Sequence, residues 1–263
     1  MSIWIGLLIN IQFFTIIPIS KQLPMDSLYV TRAIQTFPLL GLMQGAIYSA
    51  TLYGLQEWMP FTVLASAFGV WLMTIIITGG LHLDGWMDTS DAFFSYRDIN
   101  KRLEIMEDPR TGAFAVLSLI VLLNSRFFFI YEIAMHLTGQ SLALMAAIPV
   151  ISRAVMGCML VKFPLAKGSG LAYFFQSGAQ KNSLSIYMLY LLISVFAAGM
   201  ISLSTLYLFL ILLGVSLCAL MFLKYKTATW FGGITGDVLG ASVEGVELLL
   251  WMTLWLFHYF AMG

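Results

Sequence analysis

The chain has 263 residues, of which 60% are hydrophobic and 10% charged, where soluble proteins carry roughly 25% charged residues, and its mean hydropathy is +0.91. This excludes a soluble globular domain, and the balance of 13 Lys+Arg against 13 Asp+Glu excludes a strongly basic nucleic-acid binder and an acidic disordered tail. At about 20 apolar residues per spanning helix the length holds about six to eight spans and little else, so the expected fold class is all-α: a polytopic membrane bundle forming one integral domain over residues 1–263.

In chain order, residues 3–19 are apolar but interrupted by Asn10 and Gln12 and ended by Pro18, which leaves a short span, a re-entrant segment or an interfacial helix open. No basic residue precedes this run and no small-x-small site follows it, so it does not read as a cleaved signal peptide. Long apolar runs then place seven spans near 36–56, 61–81, 113–135, 141–161, 184–202, 204–223 and 239–261. The N-terminal segment would be the eighth. Cys158 and Cys218 lie within apolar runs and read as small packing residues.

Seven spans put the connecting segments alternately on two faces, and the basic residues fall on one of them. Lys21 and Arg32 precede the first span. Arg97, Lys101, Arg102 and Arg110 lie in 84–112, Lys162, Lys167 and Lys181 in 162–183, and Lys224 and Lys226 in 224–238. The links around Glu57–Pro60, His136–Gln140 and Leu203 carry no Lys or Arg, nor does the C-terminus. Positive-inside topology makes the basic face cytoplasmic. Only Arg126 and Arg153 fall within spans.

Seven acidic and four basic residues crowd into Asp84–Arg110, the polar centre of the chain. Asp84, Asp88 and Asp91 stand at i, i+4 and i+7, one row on a continuing helix. Like charges so placed repel by a few tenths of a kcal/mol per pair, which makes sense of the row if a cation lies between them. Oxygen donors with little nitrogen or sulfur favour Mg²⁺, shared with phosphate oxygens. The plainer alternative is a helix end solvated by its aspartates. Arg97, Arg102 and Arg110 suit bidentate phosphate contacts and Lys101 a point contact, against an alternative in which they pair with Glu104, Glu107 and Asp108 along a surface helix.

A second constellation is the run from Gly232 to Glu244, GGITGDVLGASVE. Its glycines, Gly233 and Gly236 among them, offer backbone N–H groups to a ligand oxygen at the start of a helix. Helix packing by small residues would explain the glycines but not Asp237, Glu244 and Glu247, the latter two inside a span where an acid costs roughly 2.5–3.5 kcal/mol. Arg153, also in a span, calls for a carboxylate or phosphate partner. Arg126 pairs with Glu132 or with an acid on another helix. His82 is a base, a ligand or a packed boundary residue, Arg32 with Gln35 offers a further phosphate contact, and His136 and His258 receive no role.

The runs GGLHLDGWMDTSDAFFS at 79–95, KRLEIMEDPRTGAF at 101–114, ISR at 151–153, GGITGDVLGASVE at 232–244 and RAIQTFPLLG at 32–41 together resemble the cobalamin synthase family, the adenosylcobinamide-GDP ribazoletransferases. The blocks occur in the family's order over most of the chain. Trp86, Met87 and Ser90 stand where the motif often carries other residues, and the carboxylates are intact. The resemblance implies a multi-pass enzyme of a bacterial or archaeal inner membrane, Mg²⁺-dependent, that joins adenosylcobinamide-GDP to α-ribazole or its 5′-phosphate and releases GMP. Asp84, Asp88, Asp91 and Asp237 would then hold Mg²⁺ on the diphosphate, and Arg97, Arg102, Arg110 and Arg153 would grip phosphates. Asp91, Glu244 or His82 would take the proton of the attacking 3′-hydroxyl. A broad membrane-facing cleft with aromatic walls would suit the part-apolar corrin ring. Partners are these two substrates and the bilayer, with no nucleic acid and with a homo-oligomer allowed.

Two other classes compete. A CDP-alcohol phosphotransferase of lipid synthesis also sets aspartates on membrane helices. Asp84-Gly85 begins such a pattern, but Asp88-Thr89 and Phe93-Phe94 do not continue it. A cation or proton transporter would use Glu244, Glu247, Arg126 and Arg153 as a path, yet most acids crowd at one face and no internal repeat is visible.

Overall fold

The computed structural model describes residues 2–180 and 182–261, and Lys181, counted above on the basic face, lies outside them. Twelve helices and no strands form among the described residues: α1 (Ser2–Phe14), α2 (Ser27–Gln35), α3 (Phe37–Glu57), α4 (Val63–Ile76), α5 (Leu81–Phe94), α6 (Ile99–Met106), α7 (Ala113–Met135), α8 (Gly139–Lys162), α9 (Gly170–Gly178), α10 (Ser185–Ile201), α11 (Leu203–Phe231) and α12 (Gly236–Ala261). Side chains set many of the starts. Asp26 accepts from the backbone N–H groups of Leu28 and Tyr29, Thr62 from Ala65, Asp98 from Lys101, Thr138 from Ser141 and Ser202 from Thr205, each satisfying donors that a helix N-terminus leaves free.

The seven expected spans correspond to α3, α4, α7, α8, α10, α11 and α12. By length and apolarity α7, α8, α11 and α12 qualify outright, and a fifth candidate is α4 joined to α5 through a 79° bend. The shortfall has local causes. α3 is 21 residues long but carries Gln44, Gln56 and Glu57, and α10 is apolar but has only 17 residues, at the lower limit for crossing a ~30 Å core. α1, at 13 residues, reaches about 20 Å and falls short of a span. It is tied instead to α2, where the buried Asn10 amide donates to the carbonyl of Ala33 and to Thr36 Oγ1. α11 does not end at 223 but runs on to Phe231, so Lys224 and Lys226 are helical rather than in a loop.

The bundle is apolar on both sides. Outer faces expose Leu117, Val121, Leu192, Phe196, Leu210 and Met221, as helices facing lipid do. Inside, α8 and α12 are buried along two thirds of their spanning windows, and between them lie four charges. Arg126 of α7 pairs with Glu244 of α12, and Arg153 of α8 with Glu247 at 3.1 Å, all four side chains at most 5% exposed. Ser152 donates to Glu247 at 2.8 Å. Arg126 therefore takes the interhelix acid, not Glu132 of its own helix, and charges in a low-dielectric interior persist because each has a partner.

The two ends of the bundle differ. At one, Gln56 donates to the Ala134 carbonyl and Ser141 bonds His258 Nε2. At the other, Thr31 reaches the Gly178 carbonyl, Arg102 the Trp230 carbonyl and Lys167 the carboxylate of Glu107. The described basic residues outside the spans gather at this second end, around α2, α5, α6, α9 and the start of α12.

Candidate active site

The site begins at a break in a helix. α4 ends at Ile76, and Gly79 and Gly80 take φ of 62° and 77°, a left-handed region costly to residues with a Cβ. The chain turns through 79°, so α5 leaves the axis of the span and lies along the basic end. A backbone bond from Ile16 N–H to the Ile77 carbonyl, 2.9 Å, fastens the N-terminal segment to this turn.

α5 then crosses the first turns of α12 at backbone distance. A Cβ on Gly85 would lie 2.8 Å from the Asp237 carbonyl oxygen, and one on Gly240 3.3 Å from His82 Cα. On the other side, Thr235 caps α12 by accepting from Val238 N–H at 3.1 Å, which places Asp237 in its first turn. Two segments about 150 residues apart thus set Asp84 and Asp88 against Asp237. Asp88, half-buried, has its carboxyl pushed up to about 6, by burial first and then by the charges of Asp84, Asp237 and Asp91.

That repulsion, and a donor set made of carboxylate oxygens, fit a hard divalent cation. The side chains are not closed around one: among the described residues no three His, Cys, Asp or Glu groups converge into a ready cluster. Next to them a cavity of about 260 Å³ is lined by Asp84, His82, Asp237, Gly236, Lys167 and the rings of Phe14, Phe37 and Phe175. His82 is 2% exposed, stacks on Phe14 at 6.0 Å, and has no hydrogen-bond partner on either ring nitrogen. Burial and the positive charges of Arg153 and Arg126 hold this imidazole neutral.

Several expected site residues are placed otherwise. Asp91 shares the α5 row, but its two oxygens accept from the N–H groups of Gly112 and Ala115 at 2.5 and 2.8 Å, making it the cap of α7 and leaving it poorly placed as base or metal ligand. Glu244 and Arg153 are engaged in the buried ion pairs, away from the cavity lining. The reason is physical: a charge inside the bundle needs a counter-charge, and each finds one on another helix. Arg102 donates to the Trp230 carbonyl at 3.0 Å and lies over the rings of Phe93 and Phe231, bracing α6 on α11. Arg110 forks onto Asp108, Lys101 pairs with Glu104 at 2.6 Å, and Arg32 bonds Gln35 at 2.8 Å. Arg97 is exposed. The N–H of Gly233 is taken by the Thr227 carbonyl at 3.2 Å, and a Cβ there would strike the Pro164 carbonyl, so this glycine permits a close loop crossing, whereas Gly236 does face the cavity.

Lys167, a basic-face residue by sequence, also lines the cavity. It reaches the cavity because the 163–169 loop pairs with the α12 leader: Ala166 N–H donates to the Ile234 carbonyl and Ile234 N–H to the Pro164 carbonyl, at 3.0 and 2.8 Å. Its only sequence signal is a lysine in a Pro/Gly-rich stretch, which is weak.

Comparison with known proteins is decisive about relationship. The cobalamin-5-phosphate synthase family matches residues 6–255. The adenosylcobinamide-GDP ribazoletransferase of Geobacillus sp. (strain WCH70) is 40% identical over 266 aligned residues, covering 98% of each chain. The proteins of the same name from Halalkalibacterium halodurans and from Escherichia coli (strain K12 / DH10B) are 33% and 32% identical, over 96% and 93% of this chain and 95% and 96% of theirs. No solved structure matches.

Proposed function

Because the chain belongs to the cobalamin-5-phosphate synthase family, we propose that it transfers the adenosylcobinamide-phosphate group of adenosylcobinamide-GDP to the 3′-hydroxyl of α-ribazole or α-ribazole 5′-phosphate, releasing GMP. The observation that carries the chemistry is the meeting of Asp84 and Asp88 with Asp237 beside a cavity that also holds His82 and Lys167. The hydroxyl oxygen forms a bond to the phosphorus nearer the corrinoid. The bond from that phosphorus to the oxygen bridging to GMP breaks, and GMP leaves with the bridging oxygen.

Asp84, Asp88 and Asp237 would hold Mg²⁺, which when bound supplies neutralisation of the diphosphate oxygens and of the departing phosphate. Lys167, paired at 2.5 Å with the exposed carboxylate of Glu107, would exchange that partner for a phosphate oxygen as a point charge. Of the three candidate bases, Asp91 and Glu244 are already hydrogen-bonded or paired. His82, neutral and unpartnered, accepts the hydroxyl proton. The aromatic wall of Phe14, Phe37 and Phe175 excludes water around it.

The basic end of the bundle faces the cytoplasm in this reading, in a bacterial or archaeal inner membrane, as the distribution of Lys and Arg favours. The lipid-phosphotransferase and transporter readings lose their footing: the intramembrane acids and arginines are closed into pairs, and the relatives above carry the ribazoletransferase name. The test is GMP release by the purified chain in nanodiscs given adenosylcobinamide-GDP, α-ribazole and Mg²⁺. Corrinoid-dependent GMP with a cobalamin product is expected, and absence of turnover with folded protein would overturn the proposal.

A further inference from the structure

A second recess lies away from the carboxylates. It is a groove of about 880 Å³ between α11 and α12, closed at one end by Trp86 and Thr89 of α5. Its floor is made of small residues, Gly214, Cys218 and Ala219 on α11 and Ala241 and Gly245 on α12, and no acidic side chain lines it. From Ile211 to Lys226 it runs about 22 Å along α11, longer than the ~15 Å that is half a bilayer core. Both walls are helices long and apolar enough to span, so the groove opens to lipid.

Lys226, Trp86 and Thr89 all line the groove. Lys226 sits over the rings of Trp230, Tyr225 and Phe222 at 5.0, 5.4 and 5.8 Å, and the five ion pairs among the described residues leave it out. Trp86 Nε1 and Thr89 Oγ1 are buried in the groove wall without any hydrogen-bond partner. Buried donors without acceptors are uncommon and costly. A ligand with an apolar chain and an oxygen-rich anionic head suits the groove and the unpaired Lys226 at its end.

The substrates are poor candidates for this place. At about 100° per residue, Trp86, which closes the groove, lies about 200° round α5 from Asp84, so the groove meets the side of the helix that faces away from that carboxylate. We propose that the groove holds one anionic phospholipid, its acyl chain on the small-residue floor and its phosphate at Lys226, with its head lying against Trp86 and Thr89. Lys226 and the exposed Lys224, with no acid on α11, give the head region a positive excess that favours an anionic over a zwitterionic lipid. The aromatic faces hold Lys226 at the interface, where Lys and Trp anchor membrane helices. The bound lipid covers the back of α5 and so braces the helix whose other face carries the aspartates. The inference does not rest on the transferase reading.

Native mass spectrometry of the detergent-purified full chain tests it, with phosphatidylglycerol or phosphatidylcholine titrated in. One phosphatidylglycerol retained per chain in preference to phosphatidylcholine is expected. K226Q should weaken phosphatidylglycerol retention about fivefold and leave phosphatidylcholine unchanged, and K226R should restore it. G214F, at a position where a Cβ meets nothing within 4 Å, should fill the floor and remove both lipids without lowering the unfolding temperature of lipid-free protein. Equal retention of the two lipids by the wild type, or K226Q indistinguishable from it, overturns the proposal. So does displacement of the lipid mole for mole by adenosylcobinamide, which would make the groove a substrate site, or by inorganic phosphate, which would make Lys226 a free-anion site.

Discussion

Gly85 and Asp237 meet backbone to backbone: a Cβ on residue 85 would lie 2.8 Å from the Asp237 carbonyl oxygen and 2.9 Å from its Cα. That contact lets a polar helix rest on the first turn of a membrane span and so brings carboxylates from two distant segments together. Its strength lies in the absence of a side chain. Gly85→Ala must push α5 off α12, and backbone on both sides leaves little room to yield. A displacement of even ~1 Å at a reacting centre can lower rate about 100-fold. Steady-state GMP release by Gly85→Ala, set against its unfolding temperature, is the measurement. Near-wild-type turnover would show that the crossing does not position the site.

The two kinds of aspartate on α5 separate by readout. Asp84→Asn and Asp88→Asn remove proposed metal ligands, so the Mg²⁺ concentration needed for half-maximal activity should rise at least tenfold with little change in stability. Asp91→Ala removes two acceptors from the start of α7 and should cost about 0.5–2 kcal/mol of stability, as loss of a helix cap does, with the Mg²⁺ requirement of the remaining activity unchanged. If Asp91→Ala shifted the Mg²⁺ requirement like the other two, its assignment as a cap would be wrong.

Asp88 also makes the effect of Mg²⁺ depend on pH. Its carboxyl is pushed up to about 6 from an ordinary 3.8, so the folded protein holds this proton more tightly than the unfolded chain does. Its contribution to stability is therefore present at low pH and declines as pH rises from about 4 through about 6. A cation reverses the penalty by favouring the charged form. The rise in unfolding temperature on adding Mg²⁺ should thus be larger at pH 7.5 than at pH 5, and equal rises at both would sink the placement of Asp88 at the ion.

Much of this was legible in the sequence. Apolar runs located the helices that α3, α4, α7, α8, α10, α11 and α12 form, because burial in lipid leaves a signal at each residue. The Asp84–Asp88–Asp91 row was visible from spacing alone. Spacing did not reveal that Asp91 turns to Gly112, because which carboxylate is engaged by backbone depends on where the next helix begins. Nor did it reveal Lys167, brought in by two backbone bonds to the loop of Ile234. Arg153 and Glu244 show a further limit: an intramembrane charge announces that a partner exists, and the structure supplies the carboxylate of Glu247 and the guanidinium of Arg126.

The buried pairs supply the last prediction. Arg126 with Glu244 and Arg153 with Glu247 tie α7 and α8 to α12, and α12 begins with Asp237. Glu244→Gln leaves the Arg126 guanidinium buried with a neutral partner, and breaking a buried pair in this way destabilises by about 3–5 kcal/mol. Replacing both partners, Arg126→Met with Glu244→Gln, removes the stranded charge and should recover most of that loss. Thermal unfolding in one detergent compares wild type, the two single variants and the double. A structural pair requires that the double variant be more stable than Glu244→Gln alone and that its turnover recover with it. If the double variant regained stability but stayed inactive, Arg126 or Glu244 would act in the reaction itself, and the separation drawn here between the bundle's ion pairs and the cavity at Asp84 would fail.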